Sequence, residues 1–169
     1  MSKEEEIKLS YIWNRDKYIE ANKIAYDYAL KSSPKRFLGW IFIAMSQFGV
    51  VSAMKGGGIG LLLLSSILIL YWYYFRWKIR EAILIKNFEK SKNKNYKFNI
   101  MVNSDVLDIN NTFIEWKDIL EFVSLKSGFL LYYESSFLFI PSSAFRDIEI
   151  KNLFASIARE KIENYNRVD

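Results

Sequence analysis

The chain of 169 residues contains no cysteine and no histidine. Without thiols there is no disulfide, no thiol nucleophile and no thiolate metal site. Without imidazole the usual general base, the commonest metal ligand and every Ser-His-Asp arrangement are gone. Charge is missing from two long stretches, Phe37 to Met54 (FLGWIFIAMSQFGVVSAM) and Ile59 to Phe75 (IGLLLLSSILILYWYYF). The opening MSKEEEIKLSYIW is acidic and lacks an apolar core, so it does not read as a secretory signal.

What is present is segregated. Hydrophobic residues make up 51% and aromatics 17%, yet charged residues reach 25%. Mean hydropathy is therefore near zero, at -0.03. The net charge of +5 suits nucleic acid or an anionic membrane leaflet.

A membrane-spanning helix needs about 20 apolar residues, and both uncharged runs approach that length. Trp40 stands near the start of the first, and Tyr71, Trp72, Tyr73, Tyr74 and Trp77 crowd the end of the second, as in an interfacial belt. The competing reading is a hairpin buried in a soluble core. A domain of this size would struggle to cover two such uniformly apolar helices.

Between the runs lies KGGGIG, Lys55 to Gly60. A phosphate loop needs Lys-Ser or Lys-Thr after its glycines, and here the lysine precedes them. The dinucleotide fingerprint fits Gly56 and Gly58, but Leu61 stands where its third glycine belongs. A tight reversal between antiparallel helices is the better reading, because glycine accepts positive φ. The loop offers only Lys55, whereas Lys31, Lys35 and Arg36 precede the hairpin and Arg76, Lys78, Arg80 and Lys86 follow it. That asymmetry places both termini in the cytoplasm.

Before the hairpin, Ile7, Leu9 and Tyr11 alternate as in a short strand. Asn14 could cap a helix from Arg15 to about Lys31, with Pro34 separating it from the span. After it, RWKIREAILIKNFEK continues the helix with an apolar stripe of Ile79, Ile83 and Leu84, and SKNKN (Ser91–Asn95) breaks it. From Tyr96 the β-rich runs YKFNIMV, VLDIN, TFIEW, LEFVSLK, FLLYYE and FLFI follow one another. Asn103-Ser104, Asn110-Asn111, Ser127-Gly128 and Ser135-Ser136 supply turns. Phe98, Ile100, Val102, Val106 and Ile109 suggest one buried face. A helix from about Asp147 to Tyr165 should close the domain, with Ile148, Phe154, Ile157, Ala158 and Ile162 as its stripe. Phe98, Ile100, Trp116, Phe129, Leu131, Phe139, Phe154 and Ile157 should share the core. The expected class is α+β. Its parts are a polar strand and helix (1–34), a transmembrane hairpin (35–77), a juxtamembrane helix and linker (78–95) and a C-terminal domain (96–169).

This order of elements resembles the YcxB-like family of small bacterial membrane proteins. Two motifs carry the resemblance. In FIEWKDILEFV, Ile114, Trp116, Asp118 and Ile119 match an aromatic strand running into a short helical turn. In FLFIPSSAF, Ile140, Pro141, Ala144 and Phe145 match the family's IPKRAF-like ending, with Ser142-Ser143 where basic residues are usual. The resemblance implies a C-terminal pleckstrin-homology-like domain, a bacterial cytoplasmic membrane location and no established activity.

The chemistry-bearing groups are sparse. Asp105, Asp108, Glu115, Asp118 and Glu121 read as solvated or capping groups rather than an acid–base pair, which would need one carboxyl raised by burial. Trp116 reads as core rather than a ligand-stacking surface. No cofactor or metal is implied. The basic residues flanking the spans, Lys35, Arg36, Arg76, Lys78 and Arg80, are the candidate contacts to anionic lipid headgroups. KSKNKNYK is a short basic linker and gives little support to nucleic-acid binding. Ser65 and Ser66 offer hydrogen bonds to a neighbouring helix. The expectation is a non-enzymatic, multi-pass membrane protein whose cytoplasmic module engages a protein or lipid partner. The alternative is a subunit of an oligomeric transporter or channel, with Ser46, Gln47, Ser65 and Ser66 as polar groups in the spans. A homo-oligomer is compatible with either. An enzyme acting on interfacial lipid would need a clustered acid–base set that the sequence does not offer.

Overall fold

The computed structural model describes residues 6–91, 94–103, 105–134 and 136–168. The class is α+β. The acidic opening before Glu6, Lys92 and Asn93 of the linker, and Ser104 and Ser135 of two expected turns lie outside the described residues. The chain forms two compact units. One runs from Arg15 to Lys94, and the other combines the chain before Arg15 with the chain from Asn95 onward.

The first unit is helical. Helix α1 spans Arg15–Lys31. Ser33 then caps a 3-10 turn, Pro34–Phe37, by accepting from the Lys35 N–H. Helix α2 spans Leu38–Met54, and α3 spans Gly60–Leu70. A π-helical turn, Tyr71–Phe75, joins α3 to α4, Arg76–Lys90. Pro34–Met54 and Gly60–Lys90, of 21 and 31 residues, are long and apolar enough to cross a membrane.

The glycine loop ends α2 in a Schellman motif. Gly56 takes φ +77°. Its N–H donates to the Ala53 carbonyl at 3.2 Å, and the Gly57 N–H reaches back to Ser52 O at 2.9 Å. This is the paired pattern that a left-handed residue after the last helical turn permits. KGGGIG is thus a helix stop and reversal, built by backbone groups that a phosphate site would have left free.

Helices α2 and α3 meet through small residues. Gly49 and Ser65 are buried there, while Gly39 lies buried under Trp72 and Tyr73 of the π-helical turn. A Cβ at Gly49 would lie 2.8 Å from the Leu62 backbone, too close for any side chain. The Ser65 and Ser66 hydroxyls both donate to Leu62 O within α3, at 3.0 and 2.8 Å, rather than to α2. Their donors are satisfied locally, as serines one helical turn past a carbonyl permit. The glycine is therefore what the close approach requires. Gly49→Val should destabilise the helical unit by about 1–3 kcal/mol. The denaturant midpoint of the helical circular dichroism signal in detergent measures this, and an unchanged midpoint would mean that the helices do not pack at Gly49.

The second unit has two four-stranded sheets. Strands β1 (Ile7–Trp13), β2 (Tyr96–Val102), β3 (Val106–Ile109) and β4 (Thr112–Glu115) form an antiparallel sheet in that order. The strand suggested by Ile7, Leu9 and Tyr11 pairs along its whole length with β2, from Ile7 opposite Val102 to Trp13 opposite Tyr96. The second sheet runs β7-β6-β5-β8, from β5 (Ile119–Leu125), β6 (Gly128–Tyr133), β7 (Ser136–Pro141) and β8 (Tyr165–Val168). Helix α5, Ile148–Lys161, is capped by Asp147, whose Oδ1 accepts from the Ile150 N–H at 2.8 Å. It stops at Lys161 rather than near Tyr165, and the chain turns back as β8, parallel to β5.

Turn chemistry sets these registers. Asn110 and Asn111, at φ 51° and 68°, make the two-residue turn between β3 and β4. The Asp108 carboxylate, itself buried, accepts from the Asn111 N–H at 2.8 Å and holds that turn. Gly128 sits at φ +154°, and a Cβ there would meet the Ile140 carbonyl oxygen, so only glycine fits.

The core lies between the sheets and α5. Leu9, Ile100, Leu107, Trp116, Phe122, Phe129, Leu131, Ile140 and Phe154 are among its buried members. Phe98 and Ile157 pack against it at partial burial. In β3 the core residues are Leu107 and Ile109, while Val106 is only half-buried, because Val106 and Ile109 are three apart and point to opposite faces. Likewise Leu138 and Ile140 of β7 join the core, which turns Phe139 to the other face, where it is also buried. Tyr11 ties β1 to β7 by donating its hydroxyl to Phe139 O at 2.8 Å. Burial, and then the neighbouring Tyr133 phenol, pushes the Tyr11 phenol well above its ordinary value.

Candidate functional site

The basic residues flanking the apolar helices separate into distinct places. Lys35 and Arg36 lie exposed on the 3-10 turn before α2. The Arg36 guanidinium covers the Phe37 ring at 4.7 Å and donates to Lys31 O at 3.3 Å, so it caps the end of α1. Lys78 is exposed on α4.

Arg76 and Arg80 are brought together. They stand four residues apart on α4, hence on one face. Across from them on α1 is Tyr26. The Arg76 guanidinium lies 5.1 Å from the Tyr26 ring and 4.1 Å from that of Trp72. Arg80 lies 4.7 Å from the same Tyr26 ring. Lys23, one turn earlier on α1, lies 5.8 Å from the Trp77 ring, and Trp77 in turn packs on Tyr26. Nε and Nη1 of Arg76 are buried without a hydrogen-bond partner. Flat guanidinium groups stack well on aromatic faces, which hold the charge but satisfy none of its in-plane donors.

Sequence reasoning named both arginines, placed Trp72 only in an aromatic belt, and missed Tyr26 and Lys23. Lys23 and Tyr26 are three apart on α1, a helical spacing that does reveal a shared face, but only the packing of α1 on α4 shows what that face meets. The π-helical turn was also missed. It places the Arg76 N–H on the Tyr71 carbonyl. Such turns recur at functional sites.

The carboxylates of the β-rich unit do not assemble. Asp108 serves the Asn111 turn. Glu115 pairs with exposed Lys117, and that hydrogen bond pushes the ammonium up from its ordinary value. Glu121 accepts from Asn166 of β8 at 2.7 Å. Among the described residues no group of acids could hold a metal ion. Trp116 is core, with its indole N–H donating to Asn103 O at 3.1 Å. Ser142 donates to Lys126 O at 3.0 Å and accepts from Lys151 Nζ at 2.8 Å. It ties the turn after β5 to α5. A shallow cleft of about 670 Å³ opens beside β5, lined by Leu120, Glu121, Tyr132, Phe137, Asn164 and Asn166.

No curated protein and no solved structure matches the chain. Residues 107–158 match the model of the family described as YcxB-like protein. That stretch begins in β3, takes in β4 to β7 and ends within α5, and it holds both FIEWKDILEFV and FLFIPSSAF. This part of the chain is a YcxB-like domain.

Proposed function

We propose that the protein is a membrane-anchored, non-enzymatic interaction protein of a bacterial cytoplasmic membrane. In this reading α2 and α3 form the anchor, and the β-rich unit is a pleckstrin-homology-like module that engages a protein or lipid partner. The observation that carries the reading is the exposure of the apolar helices. Trp40, Phe48, Met54, Leu63 and Ile67 are 69%, 70%, 82%, 56% and 63% exposed. Apolar surface of this extent is stable only against lipid or another apolar partner. Two sheets closed by a C-terminal helix are compatible with the pleckstrin-like reading, although a fold does not fix a ligand.

The pairing of β1 with β2 supports a topology with both ends on one side. These strands flank the whole helical hairpin and share one sheet, which supports an even number of crossings. The basic residues at its open end favour the cytoplasm for that side. A transporter or channel subunit has less support, since Ser65 and Ser66 spend their hydroxyls within their own helix.

Alkaline carbonate should leave the protein in the membrane pellet. Fusions at either end of the chain should be active with a cytoplasmic reporter and silent with a periplasmic one. Release by carbonate would remove the anchor, and an active periplasmic reporter at the C-terminal end would reverse the topology.

A further inference from the structure

We infer that Arg76 and Arg80, stacked on Tyr26, form a site for one phosphate group carried by an anionic lipid. This rests on the membrane reading above and narrows it from five flanking cations to two. Nε and Nη1 of Arg76 are closed off within the packing with no acceptor, which leaves the outer Nη2 of its fork, together with exposed Arg80, to meet an external group. A guanidinium cannot shed its charge, and a charged donor left unmet is costly in a folded protein. Trp72 and Tyr26 cover its faces but offer no acceptor to its edge. Arg80 adds a second positive charge on the same Tyr26 ring, and like charges one helical turn apart repel.

Nothing within the helices answers this charge. Asp16, Asp27, Glu81 and Glu89 share α1 and α4 with the arginines, and Glu20 is held by Lys17. Among the described residues, no carboxylate lies within ion-pair distance of Arg76 or Arg80. The two guanidinium groups therefore present uncompensated positive charge to an external anion. A phosphate offers several acceptor oxygens to two planar forks, a geometry that guanidinium matches and ammonium does not. The position selects a lipid. Arg76 directly follows the apolar run and its aromatic turn, Tyr71–Phe75, where the headgroup layer of a bilayer would begin.

The test uses the full chain, purified in neutral detergent and offered an equimolar mixture of phosphatidylglycerol and phosphatidylcholine. Retained lipid is read by native mass spectrometry. The wild type should retain phosphatidylglycerol over phosphatidylcholine by about tenfold, as two cations near a headgroup allow. Arg76→Gln/Arg80→Gln should abolish that preference, and Lys78→Gln, on the same helix but outside the pair, should keep it. Retention by the double variant equal to wild type overturns the site. Equal loss in Lys78→Gln also overturns it, in favour of diffuse charge. Soluble glycerol phosphate is the second arm. If it raises the melting temperature as phosphatidylglycerol does, the ligand is a free phosphate ester and the lipid assignment is wrong. Should the double variant fail to assemble, the exposed Arg80→Gln single variant gives the same readout. Carbonate extraction of the same proteins separates loss of this site from loss of the anchor, because variants that keep the anchor stay in the pellet whatever lipid they retain.

Discussion

A chain in which Asn14 is joined directly to Asn95 should fold as a β-rich domain without its apolar helices. Trp13 and Tyr96 face each other across β1 and β2. Removing the residues between Asn14 and Asn95 leaves Trp13-Asn14-Asn95-Tyr96, a two-residue hairpin loop. Asn-Asn suits such a loop because asparagine tolerates positive φ. Asn95 already stands at φ 55°, and the same dipeptide makes the turn at Asn110-Asn111 in this protein. The expected result is cooperative thermal unfolding in aqueous buffer with a β-type circular dichroism spectrum.

The companion fragment, from Asn95 onward and without β1, should not fold. It loses Ile7, Leu9 and Tyr11, which are 4%, 3% and 8% exposed in the full chain. Burying such side chains stabilises by about 1.5–3 kcal/mol each, so the strand contributes on the order of 5–9 kcal/mol. Tyr11 also brings its hydrogen bond to Phe139 O. That is comparable with the whole stability of an ordinary domain. If the fragment melts as cooperatively as the joined chain, β1 is an ornament of the sheet and the division of the chain into these two units is wrong.

The pairing of β1 shows where reading the sequence stops. Alternation at Ile7, Leu9 and Tyr11 reveals a strand, but a strand's partner is a long-range fact. Nothing in those residues points to Tyr96–Val102 on the far side of the hairpin. The apolar helices were plain because charge is absent from them throughout, and KGGGIG because a Schellman stop needs little more than its glycine. Six strands of the β-rich region were visible as β-branched and aromatic runs between turn formers. Strand β8 was not. Tyr165–Val168 is polar, short and at an edge, so its sequence continues the helical pattern of α5 until the backbone leaves it. The arginine pair was legible as charge flanking an apolar run. Its aromatic setting was not, because Tyr26 and Arg76 meet only when α1 packs on α4.

Trp116→Ala should destabilise the β-rich unit by about 3–5 kcal/mol, the usual cost of removing a buried indole. The side chain is 4% exposed and sits on the 3-10 turn between β4 and β5, packed on Phe154 with ring centroids 6.2 Å apart. Two losses add. The indole volume leaves a cavity against α5, and Asn103 O loses its donor. For a unit of this size the melting temperature should fall by roughly 15–30 °C. Trp116→Phe separates the terms, since it keeps a ring against Phe154 but gives no N–H to Asn103, and should cost about 1–3 kcal/mol. Thermal unfolding of the chain in which Asn14 is joined to Asn95, which lacks Trp40, Trp72 and Trp77, follows the β-rich unit, and carbonate extraction of the full chain follows the helices, which should stay in the membrane in both variants. A Trp116→Ala protein that melts with the parent would place the indole on a binding surface and make FIEW a recognition motif instead of the seam between sheet and helix.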